Sequence, residues 1–103
     1  MIDKQEMLLS GKYIIVNEKN LKQIITYLYS LGYIWRNTIY VKSAIHWAKD
    51  YMMNREILYI TIDKNMINFE HYEFLFEEYI FKNYKFVDIN ILLREYKLKR
   101  ILK

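Results

Sequence analysis

The 103-residue chain contains no cysteine and no proline, and only two glycines and two alanines. Without cysteine the chain has no disulfide bond, no thiolate metal site and no cysteine nucleophile. Two glycines are too few for the loops that cradle phosphate groups, and no serine lies in a glycine-flanked nucleophile turn. No apolar run approaches the roughly 20 residues that cross a bilayer. These absences predict a protein with no cofactor, no metal ion, no enzymatic activity and no membrane-spanning segment.

Ile, Lys, Asn and Tyr together supply nearly half of the residues. Their codons are rich in A and T, whereas those of the scarce Ala, Gly and Pro are rich in G and C. The composition therefore predicts a gene from an A/T-rich bacterium, or from a phage or mobile element of one. Hydrophobic residues make up 53% and charged residues 27%, which is typical of a globular chain. Because aromatic residues reach 17%, the core of this single domain must be built from large side chains.

The net charge of +4 is unevenly distributed along the chain. Residues 1–50 carry seven basic and four acidic side chains, residues 51–93 carry four and seven, and residues 94–103 carry five and one. Such segregation bears on binding partners rather than on fold. The first residues include Asp3 and Glu6 and lack an apolar core, so they do not form a secretory signal, and we expect a cytoplasmic protein.

The first elements are defined by a change from the β period to the helical period. Lys12–Val16 is a β-branched run that predicts a strand. After it, Asn17 is a candidate N-cap and Gly32 a candidate C-cap, and they enclose a predicted helix over about residues 18–31. The apolar residues of this helix follow one stripe, formed by Leu21, Ile24, Ile25, Leu28 and Leu31.

The middle of the chain predicts four strands and one helix. In chain order these are strand 33–36, strand 39–41, helix 44–53, strand 57–62 and strand 66–69. Ser43 is the expected cap of the helix, whose apolar stripe is formed by Ala44, Trp47, Ala48 and Tyr51. A three-residue loop at 63–65 predicts that the last two strands form an antiparallel hairpin.

Residues 71–82 are β-prone in composition but helical in period. Their large apolar residues fall at i, i+3, i+4, i+7 and i+8, namely Tyr72, Leu75, Phe76, Tyr79 and Ile80. A strand over 84–87 and a final helix capped by Asp88 follow. The apolar residues of that helix are Ile89, Leu92, Leu93 and Tyr96. We therefore expect one α+β domain over residues 1–103, with helices packed on a small antiparallel sheet and a basic tail from about residue 94.

Acidic and aromatic side chains share the segment around helix 71–82. The candidate partner-binding residues are Glu70, Glu73, Phe74, Glu77, Glu78 and Phe81. If both phenylalanines face solvent beside the carboxylates, they form an interface for a basic surface of a partner protein. One alternative is a helix that is buried on two sides and has a solvated glutamate edge. Another is a divalent-ion site of the carboxylates in a nuclease-like enzyme.

The basic tail is a candidate nucleic-acid contact. Its five cations are Arg94, Lys97, Lys99, Arg100 and Lys103. They could neutralise several phosphates with a salt-sensitive affinity that does not depend on sequence. The alternative is that cations near a helix C-terminus interact favourably with the helix dipole and keep a small protein soluble.

Two further groups have a functional and a structural interpretation. Aromatic and cationic side chains mix at Tyr33, Trp35, Arg36 and Tyr40, as in single-strand binders, although the core under the first helix also needs large apolar residues. His46 and Asp50 lie at i, i+4 on the predicted helix, but nothing nearby completes a set of three or four metal ligands.

The stretch from Tyr13 to Trp35 resembles a group of phage proteins. A short strand, a capped helix and the segment Leu31-Gly32-Tyr33-Ile34-Trp35 are similar to small phage and prophage proteins with an "LGYxW" segment. Some small phage proteins of this size inhibit host defence, anti-CRISPR proteins among them. The resemblance covers about a quarter of the chain and transfers no functional residue. It implies a phage-encoded accessory protein, in agreement with the A/T-rich composition.

These observations favour a function in binding rather than in catalysis. The leading hypothesis is a phage or mobile-element protein that binds and inhibits a host protein, such as a nucleic-acid-handling defence complex, through residues 70–81. The alternative is a small nucleic-acid-binding protein that uses the basic tail.

Overall fold

In the part of the chain that the structure describes, five strands pair into one sheet and four helices pack on it. The computed structural model describes residues 9–36, 38–52, 55–70 and 74–102, without the side chains of residues 74–77, 79 and 99–102. The elements, in chain order, are β1 (Lys12–Val16), α1 (Leu21–Ser30), β2 (Ile34–Trp35), α2 (Val41–Met52), β3 (Leu58–Asp63), β4 (Met66–Glu70), α3 (Phe74–Asn83), β5 (Lys85–Phe86) and α4 (Ile89–Leu102). The predictions for Asn37, Met53, residues 71–73 and Lys103 lie outside the described residues.

The sheet is antiparallel at its centre and parallel at both edges. The strand order is β2-β4-β3-β1-β5; β3 runs antiparallel to β4 and β1, whereas β2 is parallel to β4 and β5 is parallel to β1. The α+β class is confirmed, but the sheet is mixed rather than wholly antiparallel. The edge strands have only two residues each, so their short sequences carried no signal of direction.

Both faces of the sheet are covered, because β3 is buried on both sides from Leu58 to Ile62. On one face, Ile14, Ile60 and Ile67 form the main core with α1, α2 and Leu92 of α4. On the other face, Tyr13 and Tyr59 pack with Ile80 of α3. The helix α4 is fixed to α1 at Tyr27, whose hydroxyl donates a hydrogen bond to Glu95 Oε2 (2.9 Å). The alternating side chains of β1 therefore supply both cores.

The stripe and the C-terminal end of α1 follow the sequence prediction, but the helix begins at Leu21 after a turn, so its N-cap is Asn20, which makes no side-chain cap hydrogen bond, rather than Asn17. Asn17 Oδ1 accepts hydrogen bonds from the amides of Lys19 and Asn20, and the Asn17 amide donates to Asn20 Oδ1. This reciprocal pair fixes the turn that precedes the helix. At the other end Gly32 (φ +100°) provides the left-handed residue, and the Tyr33 amide donates to the Leu28 carbonyl (3.0 Å).

The predicted strand 39–41 is wrong. The chain turns at Arg36 (φ +47°), Ile39 and Tyr40 are exposed, and α2 begins at Val41, so Ser43 lies inside the helix and does not cap it. The turn is fixed by Tyr29, whose hydroxyl donates to the Thr38 carbonyl (2.9 Å) and accepts from the Trp35 amide (3.2 Å). This tertiary hydrogen bonding outweighs the β propensity of the three residues.

The buried stripe of α2 also differs from the prediction. Ala44 and Ala48 are buried as expected, but their partners in the core are Ile45 and Met52, whereas Trp47 and Tyr51 are 57% and 40% exposed. The small alanines and the flanking aliphatic residues fill the space against the core. The two aromatic rings therefore lie on the flank of the helix.

The second half of the chain agrees more closely with the sequence prediction. Asp63 pairs with Met66, so the β3–β4 loop has two residues rather than three, with Lys64 in the left-handed region (φ +57°). Asp88 caps α4 as expected, because its Oδ1 accepts a hydrogen bond from the Asn90 amide (2.8 Å). None of the described helices combines the length and apolarity needed to cross a bilayer.

The packing of α1 makes a direct prediction about stability. Leu28→Ala should lower the free energy of unfolding by about 2–5 kcal/mol, because Leu28 is fully buried and its removal leaves a cavity. Gln23→Ala on the exposed side of the same helix is the control and should change it by only about 0.5 kcal/mol. Chemical denaturation measures the free energy of unfolding of both variants. An equal loss in the two variants would contradict the packing of α1.

Candidate functional site

An aromatic cleft of about 360 Å³ opens at the β2–β4 edge of the sheet. It is lined by Trp35, Arg36, Trp47, Tyr51, Asn68, Phe69 and Glu70. The ring centroid of Trp35 lies 5.4 Å from that of Phe69 and 6.1 Å from that of Trp47. The Arg36 guanidinium lies over the Trp35 ring, 5.2 Å from its centroid, which is a cation–π contact. We call this site the edge cleft.

The edge cleft exists because three elements meet at the edge of the sheet. Trp35 in β2 lies opposite Ile67, and Phe69 follows two residues later on the same face of β4. Trp47 and Tyr51 lie one helical turn apart on α2 and complete the aromatic wall. Contiguous exposed apolar patches are a feature of binding surfaces.

The polar side of the edge cleft carries an unbalanced carboxylate. Glu70 ends β4 and is half-buried, and this burial raises the pKa of its carboxyl above the ordinary value of 4.5. Within the described ranges the ion pair found is that of His46 with Asp50, so no described cation lies within ion-pair distance of Glu70. A carboxylate in this position favours a cationic or hydrogen-bond-donating ligand.

A second aromatic surface lies at the opposite edge of the sheet. Phe81 of α3 and Phe86 of β5 are 51% and 56% exposed, and both pack on Tyr13 with centroid distances of 5.7 Å and 5.4 Å. Glu78 is exposed on the same helix as Phe81. We call Tyr13, Glu78, Phe81 and Phe86 the β5 patch. Exposed aromatic rings with charged residues at their margin, here Glu78 and Lys82, are common in protein-binding surfaces.

The outer side of α4 combines cations with apolar side chains. Arg94 and Lys97 are exposed, and so are Ile91 and Leu98, which lie seven residues apart on one side of the helix. Lys99 and Arg100 belong to the same helix, but their side chains are not described, and Lys103 lies outside the described residues. The tail is therefore helical at least to Leu102, and it is not purely cationic.

The predicted partner-binding residues occupy several positions. Glu70 lines the edge cleft, whereas Glu78 and Phe81 belong to the β5 patch. Phe74 and Glu77 lie on α3 with side chains that are not described, and Glu73 lies outside the described residues. Among the aromatic residues considered earlier, Tyr33 is in the core and Tyr40 is exposed outside the edge cleft.

Sequence reasoning missed six residues of the edge cleft and the β5 patch. They are Trp47, Tyr51, Asn68, Phe69, Tyr13 and Phe86. A signal did exist for the first two, because a helix whose core face is satisfied by Ala44, Ile45, Ala48 and Met52 has no room for two further large rings. For Phe86 and Asn68 the pairing of the strands is required, and the sequence does not provide it.

The histidine and aspartate considered as metal ligands lie together on α2. His46 Nε2 lies 3.3 Å from Asp50 Oδ2 on the exposed side of α2, which confirms that they share a face. Among the residues the structure describes, no three His, Asp or Glu side chains are close enough to hold a metal ion.

No protein-family model matches the chain, and no curated protein or solved structure shows significant similarity to it.

The position of Glu70 predicts a pH-dependent stability. Because its folded-state pKa is raised, the folded state is favoured when Glu70 is protonated, and this contribution is lost as the pH rises through the folded-state pKa. Glu70→Gln should therefore raise the melting temperature at pH 7, and the difference from wild type should disappear below pH 4.5. The exposed Glu56→Gln is the control for thermal melts. A difference that is the same at both pH values would contradict the burial of Glu70.

Proposed function

We propose that this chain is a non-enzymatic binding protein that attaches to another protein through the β5 patch and inhibits it. The observation that carries the proposal is the pair of half-exposed rings, Phe81 and Phe86, held side by side on Tyr13. Exposing two phenylalanine rings in one place is unfavourable in water, and a partner that covers them removes this cost.

The β5 patch is pre-organised for binding. Phe86 is fixed by the pairing of β5 with β1, and Phe81 is fixed by α3, whose Ile80 is fully buried against the sheet. Because the rings are already held in place, little side-chain entropy is lost on association. Aromatic side chains in such positions are the residues that most often dominate the affinity of an interface.

The charge near the patch indicates the kind of partner. Glu78 lies on α3, and residues 51–93 carry seven acidic and four basic side chains. The exposed Glu78 beside these rings would complement a basic group on a partner, such as one that a nucleic-acid-handling complex presents, while the neighbouring Lys82 and Lys85 would remain at the margin of the contact. The amino-acid composition, which predicts A/T-rich codons, and the LGYxW resemblance support a phage-encoded inhibitor of a host defence complex in the cytoplasm, with anti-CRISPR activity as one form.

The proposal predicts that the β5 patch is needed for partner binding. Phe81→Ser combined with Phe86→Ser should abolish capture of the host partner from a lysate, and Glu78→Lys should weaken it by about tenfold or more through lost charge complementarity. Both changes lie at exposed positions, so the free energy of unfolding should move only modestly, by roughly 0.5 kcal/mol for Glu78→Lys.

Ile39→Ser is the matched control, because Ile39 is exposed outside the patch. Once the partner is identified by mass spectrometry, its activity should fall when the wild-type chain is added, and the double variant should leave that activity unchanged. In cells, expression of the wild-type chain should raise the plating of a phage that the host restricts. If the double variant captures and inhibits the partner as well as the wild-type chain does, the proposal is wrong.

Nucleic-acid binding by α4 is the second candidate function. It is favoured by the exposure of Arg94 and Lys97 along one helix that continues into further cations. It ranks second because Ile91 and Leu98 are exposed on the same helix, and contacts with phosphates do not need apolar side chains.

The tail makes its own prediction. If α4 binds phosphates, Arg94→Gln combined with Lys97→Gln should reduce the affinity for duplex DNA and lower the slope of log affinity against log salt by about 2. Fluorescence anisotropy at several salt concentrations measures both quantities, with Lys22→Gln on α1 as the control. No binding at low salt, or binding that does not depend on salt, would eliminate this function.

A further inference from the structure

β4 has a free segment at the edge of the sheet. It pairs with β3 along its whole length, but it pairs with β2 only at Met66 and Ile67. The strand β2 cannot continue, because the chain turns away at Arg36 in the left-handed region (φ +47°). Beyond Ile67, no strand of the described part of the chain therefore pairs with the outer side of β4.

The backbone groups on this edge follow from the alternation of the strand. The Ile34 amide donates to the Asn65 carbonyl (3.0 Å), so Asn65 presents its backbone toward β2. Every second residue of a strand does the same, so Ile67 and Phe69 also direct their amide and carbonyl to this edge. The pairing with β2 ends at Ile67, and the next position of the ladder is that of Phe69.

The edge cleft lies on both faces of the sheet at this point. Phe69 pairs with Ile60 on the face covered by α2, where Trp35 and Trp47 also lie. Glu70 pairs with Tyr59 on the opposite face. An added strand directs successive side chains to opposite faces. One of its side chains would enter the aromatic wall, and the next would lie opposite Glu70.

The two sides of the edge cleft favour different side chains on an added strand. The rings of Trp35, Trp47 and Phe69 offer an apolar surface. The half-buried Glu70 has no described cation within ion-pair distance, and burial without a cation raises the pKa of its carboxyl. A basic side chain opposite it would supply the missing charge, which is complementarity of the kind that fixes register in an interface.

We propose that the outer edge of β4 at Phe69 accepts an extended segment of a partner protein as an added strand, with an apolar side chain in the aromatic wall and a basic side chain opposite Glu70. Addition of a strand to an exposed sheet edge is a general mode of peptide recognition, in which backbone hydrogen bonds give affinity and alternate side chains give specificity. This site lies at the opposite edge of the sheet from the β5 patch, so it does not depend on the function proposed above.

The cleft contains its own spectroscopic reporter. The chain has two tryptophans, Trp35 and Trp47, and both line the edge cleft. The probe is a capped octapeptide of alternating valine and lysine. We expect a saturable change in tryptophan fluorescence with a dissociation constant below about 1 mM, together with protection of the Phe69 amide in hydrogen exchange.

Two peptides and three variants separate the parts of the proposal. An alternating valine–glutamate peptide should bind about tenfold more weakly, and a valine–lysine peptide N-methylated at every amide should not bind, because neither of its edges can donate hydrogen bonds. Glu70→Gln should weaken binding of the valine–lysine peptide. Trp47→Ala should abolish binding of this peptide while leaving capture of the host partner through the β5 patch unchanged. Ile39→Ala, exposed outside the edge cleft, should bind as wild type does.

Four results would overturn the proposal. They are the absence of a saturable response, equal binding of the N-methylated peptide, a response to single-stranded oligonucleotides but not to the peptide, and dimerisation of the chain that Trp47→Ala prevents. The third result would assign the edge cleft to nucleobases, and the fourth would assign it to a second copy of the chain. Circular dichroism of Trp47→Ala and Glu70→Gln shows that each variant is folded before its binding is measured.

Discussion

The rest of the structure depends on the burial of β3 from both sides. Five successive residues of this strand, from Leu58 to Ile62, are shielded from water, so neither face of the sheet can be left open. The helices α1, α2 and α4 cover one face and α3 covers the other. With both faces occupied, the exposed rings lie at the two edges of the sheet, beside β2 and β5. Burial at the centre thus determines where large aromatic side chains remain exposed.

Periodicity predicted those elements whose core face is continuous along the sequence. The stripe of α1 from Leu21 to Leu28 is fully buried as expected, and the turn at Asn17 and the helix end at Gly32 use short-range chemistry that the sequence displays, although the helix itself begins only at Leu21. Strand β3 was predicted just as clearly, because a short run of β-branched and aromatic residues between polar ones is typical of a buried strand. In these segments local propensity and tertiary packing agree.

The remaining errors come from interactions between distant residues. The strand expected at 39–41 fails because the Tyr29 hydroxyl holds the turn after β2. The stripe of α2 is rotated because two alanines leave space for Ile45 and Met52 in the core. The candidate site was predicted only in part: the exposure of Glu78 and Phe81 fits the helical period, whereas their neighbour Phe86 comes from a strand paired across the sheet. No local sequence pattern predicts that β2 pairs in parallel with β4 and that β5 pairs in parallel with β1.

The two-residue length of β2 and β5 also bears on aggregation. An aromatic-rich chain with an open sheet edge is a template for edge-to-edge stacking, and many proteins block such stacking with proline or charge in the edge strand. This chain contains no proline. Its edge strands instead present few backbone groups, and β5 places the exposed Lys85 beside Lys12 of β1. The charge on β5 opposes edge-to-edge stacking at that side of the sheet, whereas the shortness of β2 leaves the outer side of β4 open at Phe69.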